Sequence, residues 1–375
     1  MINITFSDAG KHLQFAPLSL TRPLAKLKMG LLSFENRWLK TFDEDAVVSY
    51  ETESYLSKKF QSGSESDMYI NAMVLPNDSI IEKIKNLPIG YELKGEHGWI
   101  ARHGKSTNES VNFEGDYTEI KELWDLFQQN GKVLLSDFDL VTKGRTSEQL
   151  NATNKVMGDH IFVEEGAKVN CAILNSETGP IYIGKNAEIQ EGAIIRGGLA
   201  LLDNATIKMG AKIAGPTTIG KFSKVGGEVT NCIIMNYSNK GHDGYLGNSL
   251  LGEWCNLGAD TNSSNLKNNY SDVSIYSYET QEMKKTGTQF MGVTMGDHSK
   301  CGINTMFNTG TVVGVSANVF GGDFPPKFIP SFAWGGSAGF TEYNFEKAMD
   351  TAKRVKARRG LELTEEEIEI LKTLK

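Results

Sequence analysis

Proline is scarce, with 9 in 375 residues against 39 glycines. That balance argues against a disordered or collagenous chain and suits a bend-rich β architecture. Cysteine is scarce as well. Cys171, Cys232, Cys255 and Cys301 show no CxxC spacing, and free buried thiols in a cytoplasmic protein are the simplest account of them. No apolar run approaches the roughly 18 residues of a membrane span. The opening MINITFSDAG has neither a basic n-region nor an apolar h-region, so no signal peptide is expected. Nor is there a cationic excess. The formal charge is −7, and no basic stretch is interleaved with aromatics, which argues against nucleic-acid binding. A cytoplasmic protein without membrane or nucleic-acid partners is the expectation.

What the sequence has in abundance is a six-residue period. From Ile183 an aliphatic residue recurs at Ile189, Ile195, Leu201, Ile207, Ile213, Ile219 and Val225. Four positions after each stands a mostly small residue: Ala187, Ala193, Leu199, Ala205, Ala211, Thr217, Ser223 and Val229. A helix would place apolar residues at i, i+3, i+4 and i+7, and an isolated strand would alternate. A hexad fits a parallel β-helix, in which each repeat makes one flat strand and a bend. The period returns at Met295, Cys301, Phe307, Val313 and Val319. Crossovers between parallel strands are usually right-handed. Chains with this hexad resemble the hexapeptide acyltransferases, whose prism is left-handed, and that resemblance implies a left-handed parallel β-helix here.

Three segments follow from this. Residues 1–150 lack hexads and mix short apolar runs (1–6, 69–75, 132–140) with expected helices (31–42, 79–87, 118–130), a pattern of α/β type. Residues 151–330 form the β-helix, with a polar excursion over 263–289 that carries no rung spacing. Residues 331–375 form a tail of two helices, the second opened by a capping box at Thr364 and Glu367. The tail's cluster of Lys353, Arg354, Lys356, Arg358 and Arg359 reads first as a solvated face. Its second reading is a partner for a coenzyme A phosphate or a nucleotide.

The stretch Pro17-Leu-Ser-Leu-Thr-Arg-Pro23, followed by Lys26, Lys28 and Gly30, resembles the segment near the start of sugar-1-phosphate nucleotidyltransferases. In that family a Gly-rich loop cradles the nucleotide phosphates, and Arg and Lys neutralise charge. Alignment on Pro17-Leu18 leaves Asp8-Ala-Gly10 for the loop. His12, Gln14 and Leu24 then stand at the family's glycine, arginine and lysine. The resemblance makes Arg22 and Lys28 the candidate nucleotide-binding residues. Asp137 and Asp139 in LLSDFDLV are carboxylates of the kind that bind Mg²⁺.

The segment Gly241-His-Asp-Gly-Tyr-Leu-Gly247, followed by Leu251-Gly-Glu-Trp-Cys-Asn-Leu-Gly-Ala259, resembles the acetyltransferase half of the bifunctional UDP-N-acetylglucosamine pyrophosphorylase/glucosamine-1-phosphate acetyltransferases. That family reads GHxxYLG and then NIGAG, with the Asn fourteen residues after the His, as Asn256 follows His242. The resemblance implies that His242 is the general base for attack of a sugar amine on acetyl-CoA. A His suits this because its unperturbed pKa lies near working pH. Tyr245 and Asn256 are implied to contact the sugar, and Ala259 to line the acetyl-CoA site. On one alignment Glu228 orients the base. On another Lys224 takes that place, and Lys208 falls on the phosphate-binding arginine. Arg196 is a further cation for a sugar phosphate.

LTRPLAKLKMGLLSFENRW, NKGHDGYLGNSLLGEWCNLGADTNSSNLKNNY and GDHSKCGINTMFNTGTVVGV together resemble the Bacteroidetes-type variants of that bifunctional family. The expected function is acetyl-CoA-dependent N-acetylation of a hexosamine 1-phosphate, with nucleotidyl transfer to a UDP- or dTDP-sugar in the first domain. The alternatives are a nucleotidyltransferase whose β-helix only assembles the oligomer, and a non-catalytic sensor of sugar nucleotides. A homotrimer is expected, on the family's habit and on the apolar groups Met291, Met295, Met306 and Phe307.

Overall fold

The structure is a computed structural model that describes residues 2–42, 46–63 and 68–375. Its first part is an α/β module around a six-stranded sheet. Strand Ile2–Ser7 lies between Ala46–Glu51 and Met68–Asn71, parallel to both. An antiparallel extension, Gly98–His103 and Tyr91–Gly95, continues the sheet. Met1, at the head of the first expected strand, lies outside the described residues.

Three expectations for this part need correction. The apolar run 132–140 is helical, within the helix Asn130–Thr142. Val133 and Asp137, four apart, are buried, whereas Leu135 and Leu140 face outward, so the run follows a helical period. The helix expected over 118–130 shrinks to Asp125–Gln128. The one expected over 31–42 begins only at Phe34, with Ser33 Oγ accepting from the Asn36 N–H. Residues 28–33 instead make a small hairpin, Lys28–Met29 against Leu32–Ser33.

The β-helix has three faces. Nine strands stack on the first, from Ile161–Val163 to Phe328–Ile329. The second carries ten, from Lys168–Val169 to Gly339–Glu342. The third carries eight, from Lys155–Met157 to Met306–Phe307. Successive coils pair rung on rung, with Ile183 beside Leu201 and Leu201 beside Ile219. Every aliphatic position of the long hexad run is essentially sealed from water, and so is every small one.

The period breaks where Val229 was expected at a bend. Val229 is a rung, paired with Ile213 below and Leu246 above. The coil has lost residues at Gly226-Gly227. A Cβ on Gly227 would lie 2.7 Å from the Gly244 carbonyl oxygen and 2.9 Å from Asp243 Cα, so only glycine fits beneath the next coil's bend. One coil later a lysine stands on a rung: Lys240 pairs with Val225 and is 1% exposed.

The excursion expected over 263–289 begins later, because Ser263 is still a buried rung between Leu246 and Phe307, and it is ordered as an antiparallel hairpin, Ser274–Ser277 with Glu282–Lys285. It braces the β-helix against the α/β module. Lys284 pairs with Glu122 at 2.7 Å, and Val273 and Ile275 enter an apolar cluster with residues of the α/β module. That cluster also takes in Ile233, Leu250 and Val312 from the outer side of the first face. The α/β module and the β-helix therefore share one core.

The tail starts later than 331, because Ala333–Gly336 still stacks on the second face; its two helices are Phe345–Ala357 and Glu365–Thr373, the latter with its capping box in place. The apolar groups cited for a homotrimer are mostly internal. Met291, Met295 and Phe307 are buried within the chain, leaving Met306 at 36% exposure. Among the described residues no helix is long and apolar enough to cross a membrane.

Candidate functional site

The shortened bend at Gly226-Gly227 sets the chain over it, residues 241–244, close against the preceding coil. Lys240 holds this upper bend from inside. Its Nζ donates to the carbonyls of His242 at 2.5 Å, Asp243 at 2.9 Å and Gly226 at 3.3 Å. Burial pushes the Lys240 ammonium down to about 8, against the pull of Asp243 and Asp260. A charged lysine replaces an aliphatic rung, and its product is a fixed bend with the His242 side chain outside.

His242 stands where two cavities meet. The larger, about 740 Å³, lies over the second face and is closed by the end of the helix Phe345–Ala357. Its floor is the outward row Lys224, Asn239, Asn256 and Lys300, in register from coil to coil. Lys208, Arg358 and Arg359 complete a set of five cations around it. Asn239 Oδ1 is buried without a partner among the described residues. Burial pushes the Lys300 ammonium down. The smaller cavity, about 300 Å³, lies at the corner of the second and third faces and adds Asp243 and Asp260. His242, Lys208, Gly241 and Ala259 line both. One cavity is strongly cationic and the other carries two carboxylates, with an imidazole between.

An aromatic ladder at the corner of the first and second faces limits the larger cavity. Phe222, Tyr237, Trp254 and His298 occupy the same left-handed corner conformation in four coils, with φ between 61° and 63°. Their rings stack face to face, closest at 4.1 Å and 2° between Tyr237 and Trp254. The tail docks here: Lys356 lies over the Trp254 ring, 5.7 Å from its centroid, and Arg359 donates to the Phe222 carbonyl at 3.2 Å. The tail's basic cluster thus divides. Arg354 pairs with Asp350 in solvent, Lys356 pairs with Glu367 inside, and Arg358 and Arg359 face the cavity.

Of the residues singled out in the sequence, the fold brings His242, Asn256, Lys208 and Ala259 to one site. Tyr245 and Glu228 sit around the corner, paired side by side on the third face. The Tyr245 hydroxyl accepts from Asn265 at 3.0 Å. Arg196 is on the same face but pairs with Ala214, which in turn pairs with Thr230. It is three coils below Gly247, and it lines neither cavity.

Asp137 does not fit a Mg²⁺ site. Arg37 binds both of its oxygens at 2.8 Å, and the Leu31 N–H adds a third donor. Asp139, two residues on and so on the opposite side of the helix, is exposed, and no cluster of three metal-ligating groups occurs among the described residues. Arg22 is likewise engaged, by Asp297 and Glu253 of the β-helix, and neither it nor Lys28 lines the cavity beside the Asp8–Gly10 loop. That cavity, about 350 Å³, has Asp8, Glu51 and Glu53 among its walls. Asp8 is held by His12 at 2.7 Å and by the Leu24 N–H at 2.8 Å.

Lys240, Asp260 and Lys300 escaped the sequence reading. A lysine breaking a run of aliphatic rungs was the one available signal for the first. Nothing in the spacing marked the others.

The described residues thus form an α/β module joined through a shared core to a three-faced parallel β-helix. Residues 3–146 match the family model described as sugar nucleotidyl transferase. The chain is 31% identical over 217 residues to the bifunctional protein GlmU of Methanocaldococcus jannaschii, a match covering 54% of this chain and 43% of that one. It is 25% identical over 215 residues to the bifunctional sugar-1-phosphate nucleotidylyltransferase/acetyltransferase of Sulfurisphaera tokodaii, covering 56% and 47%. The chain thus spans less than half the length of these relatives. Among solved structures it is similar to a UDP-N-acetylglucosamine acyltransferase of Bacteroides fragilis, at 13% identity and a TM-score of 0.27, covering 60% and 96%.

Proposed function

We propose that this chain is an acetyltransferase, moving the acetyl group of acetyl-CoA to the amine of a hexosamine 1-phosphate at His242. The observation that carries the reading is the position of His242 on the shared wall of a cationic and an acidic cavity. Five cations suit a polyphosphorylated carrier such as coenzyme A, since charge-assisted hydrogen bonds to phosphate are the strong ones. Asp243 and Asp260 favour an amine, which reaches the site largely protonated, and Lys208 on the common wall would meet the sugar's phosphate.

In this reading the ammonium first releases one proton to solvent, and the free amine attacks the thioester carbonyl while His242 accepts the second; a C–N bond forms, the C–S bond breaks, and His242 passes that proton to the departing sulfur. Asn256 sits on the floor of the larger cavity, where its amide would hold the sugar or the developing oxyanion. A homotrimer is the assembly we propose, now resting on the exposed apolar groups Met209, Ile303 and Met306. Nucleotidyl transfer has weaker support, because the loop where phosphates would sit faces three carboxylates.

The test is turnover of acetyl-CoA with glucosamine 1-phosphate by the full chain, followed by thiol release. Acetylation of the amine supports the reading. No turnover with any hexosamine 1-phosphate would overturn it, and His242 would then be a corner residue of the prism.

A further inference from the structure

We propose, on the acetyl-transfer reading of His242, that Lys240 is its positioning residue. By tying two bends together, the Lys240 ammonium also sets the upper pH limit of the reaction.

The corner between the second and third faces closes on itself in neighbouring coils. A backbone N–H there reaches back three residues, from Ala193 to the Gln190 carbonyl at 3.3 Å, from Ala211 to Lys208 at 3.2 Å and from Thr261 to Gly258 at 3.4 Å. Three residues beyond Gly226 stands Val229, already a rung of the next strand, so the shortened bend has no N–H to spare. The Gly226 carbonyl turns to Lys240 Nζ instead, as do the carbonyls of His242 and Asp243 in the bend above. An ammonium carries three donors, and each one meets a carbonyl. An aliphatic rung could join neither bend to the other.

The effect falls on His242, because its own carbonyl and that of the next residue are two of the three acceptors. Its side chain is exposed on the wall shared by the two cavities, so the backbone beneath it decides where the imidazole stands. The groups of opposite charge facing Lys240 are Asp243 on the upper bend and Asp260 on the next coil, with the Cys301 thiol beyond them. Burial pushes that thiol up, which leaves it neutral. Lys224 and Glu228, on the strands either side of the lower bend, are exposed. Burial outweighs the two carboxylates and brings the Lys240 ammonium down to about 8. A neutral amine keeps two donors for three carbonyls and loses the strength that charge gives each bond. The prism as a whole gains when the buried charge is gone, but the two bends lose a tie and His242 its fixed place.

The experiment is a pH–rate profile of acetyl transfer by the full chain, beside an NMR titration of the His242 ring. Wild-type kcat should pass a maximum near pH 8 and fall beyond it, against the rise that deprotonation of an amine substrate would give. Lys240→Met should lower kcat at pH 7.5 by about tenfold to a hundredfold, the loss expected of a misplaced reacting group. It should change KM for acetyl-CoA little and show no alkaline fall. The His242 ring signal of wild type should report a step near pH 8 that Lys240→Met lacks. Thermal melts show whether the variant is folded, and the wild-type profile and titration need no variant. Three results overturn the proposal: wild-type kcat that goes on rising above pH 8, an alkaline fall of the same size in Lys240→Met, or a His242 signal without the step. If wild type transfers no acetyl group at all, the reading of the site fails, and the His242 signal still decides whether Lys240 places the ring.

Discussion

The α/β module and the β-helix meet through a buried ion pair, and that pair makes a quantitative test of the shared core. Asp297 is 3% exposed and Arg22 is 7% exposed. The Asp297 carboxylate accepts from the Arg22 guanidinium, from Thr21 Oγ at 2.7 Å and from the Glu253 N–H at 2.8 Å. Removing one partner of a buried pair strands the other, at about 3–5 kcal/mol, whereas replacing both is often close to neutral. Unfolding entropy of about 2.1 cal/mol/K per residue, taken over the whole chain as one cooperative unit, gives roughly 0.8 kcal/mol/K at the midpoint. Asp297→Asn and Arg22→Met should each therefore lower Tm by about 4–6 °C, while the double variant should lose no more than about 2 °C. Scanning calorimetry on the full chain measures all three. Additive losses in the double variant would refute the argument, because they would mean that the two groups act on separate parts of the fold. Two resolved transitions would show that the module and the β-helix do not unfold together.

Three further outcomes are expected. His242→Ala should reduce kcat for acetyl transfer by about 10²–10⁴-fold with little change in KM, because the lost proton transfer belongs to the transition state; Asn256→Ala should cost less and act partly through KM, and wild-type kcat in the folded His242→Ala protein would sink the base assignment. Lys240 has its folded pKa at about 8, below the usual 10.5, so the unfolded chain holds this proton more tightly and the burial penalty is relieved as pH rises from about 8 toward 10.5; the Tm of wild type should gain on that of Lys240→Met between pH 7.5 and 9.5, and parallel pH profiles would refute it. Burial raises the Glu367 carboxyl, but hydrogen bonds from Lys356 and Lys59 outweigh it and hold the group at about 2. The stability it lends to tail docking is present above the ordinary carboxylate pKa and lost as pH falls toward 2. Trp254 emission, reporting the overlying Lys356, should change in that window in wild type and not in Glu367→Gln.

The prism was legible because its rungs obey a local rule. An aliphatic residue every sixth position must point inward if each hexad makes one strand and one bend, and Ile183 through Val225 do so without exception. His242 and Asn256 were singled out by the family resemblance of their segments, and the fold lines one cavity with both. The capping box at Thr364 and Glu367 needed only four consecutive residues.

What lies outside the prism follows no such rule. The aromatic ladder is built from residues fifteen, seventeen and forty-four apart in sequence, because a shortened bend and the excursion at 263–289 change the length of each coil. No period could reveal it. Arg358 and Arg359 looked like solvated charges because their surroundings, Lys300 and the Phe222 carbonyl, lie far back along the chain. Asp137 looked like a metal ligand because its partner Arg37 is a hundred residues away. Met291 and Phe307 looked like surplus surface because the groups that cover them come from other coils and from the α/β module. The sequence determined which side chains fill the prism, since hexad geometry is local. The tertiary structure decided which outward-facing groups share a cavity, since that depends on coil lengths and on a tail that folds back over the second face.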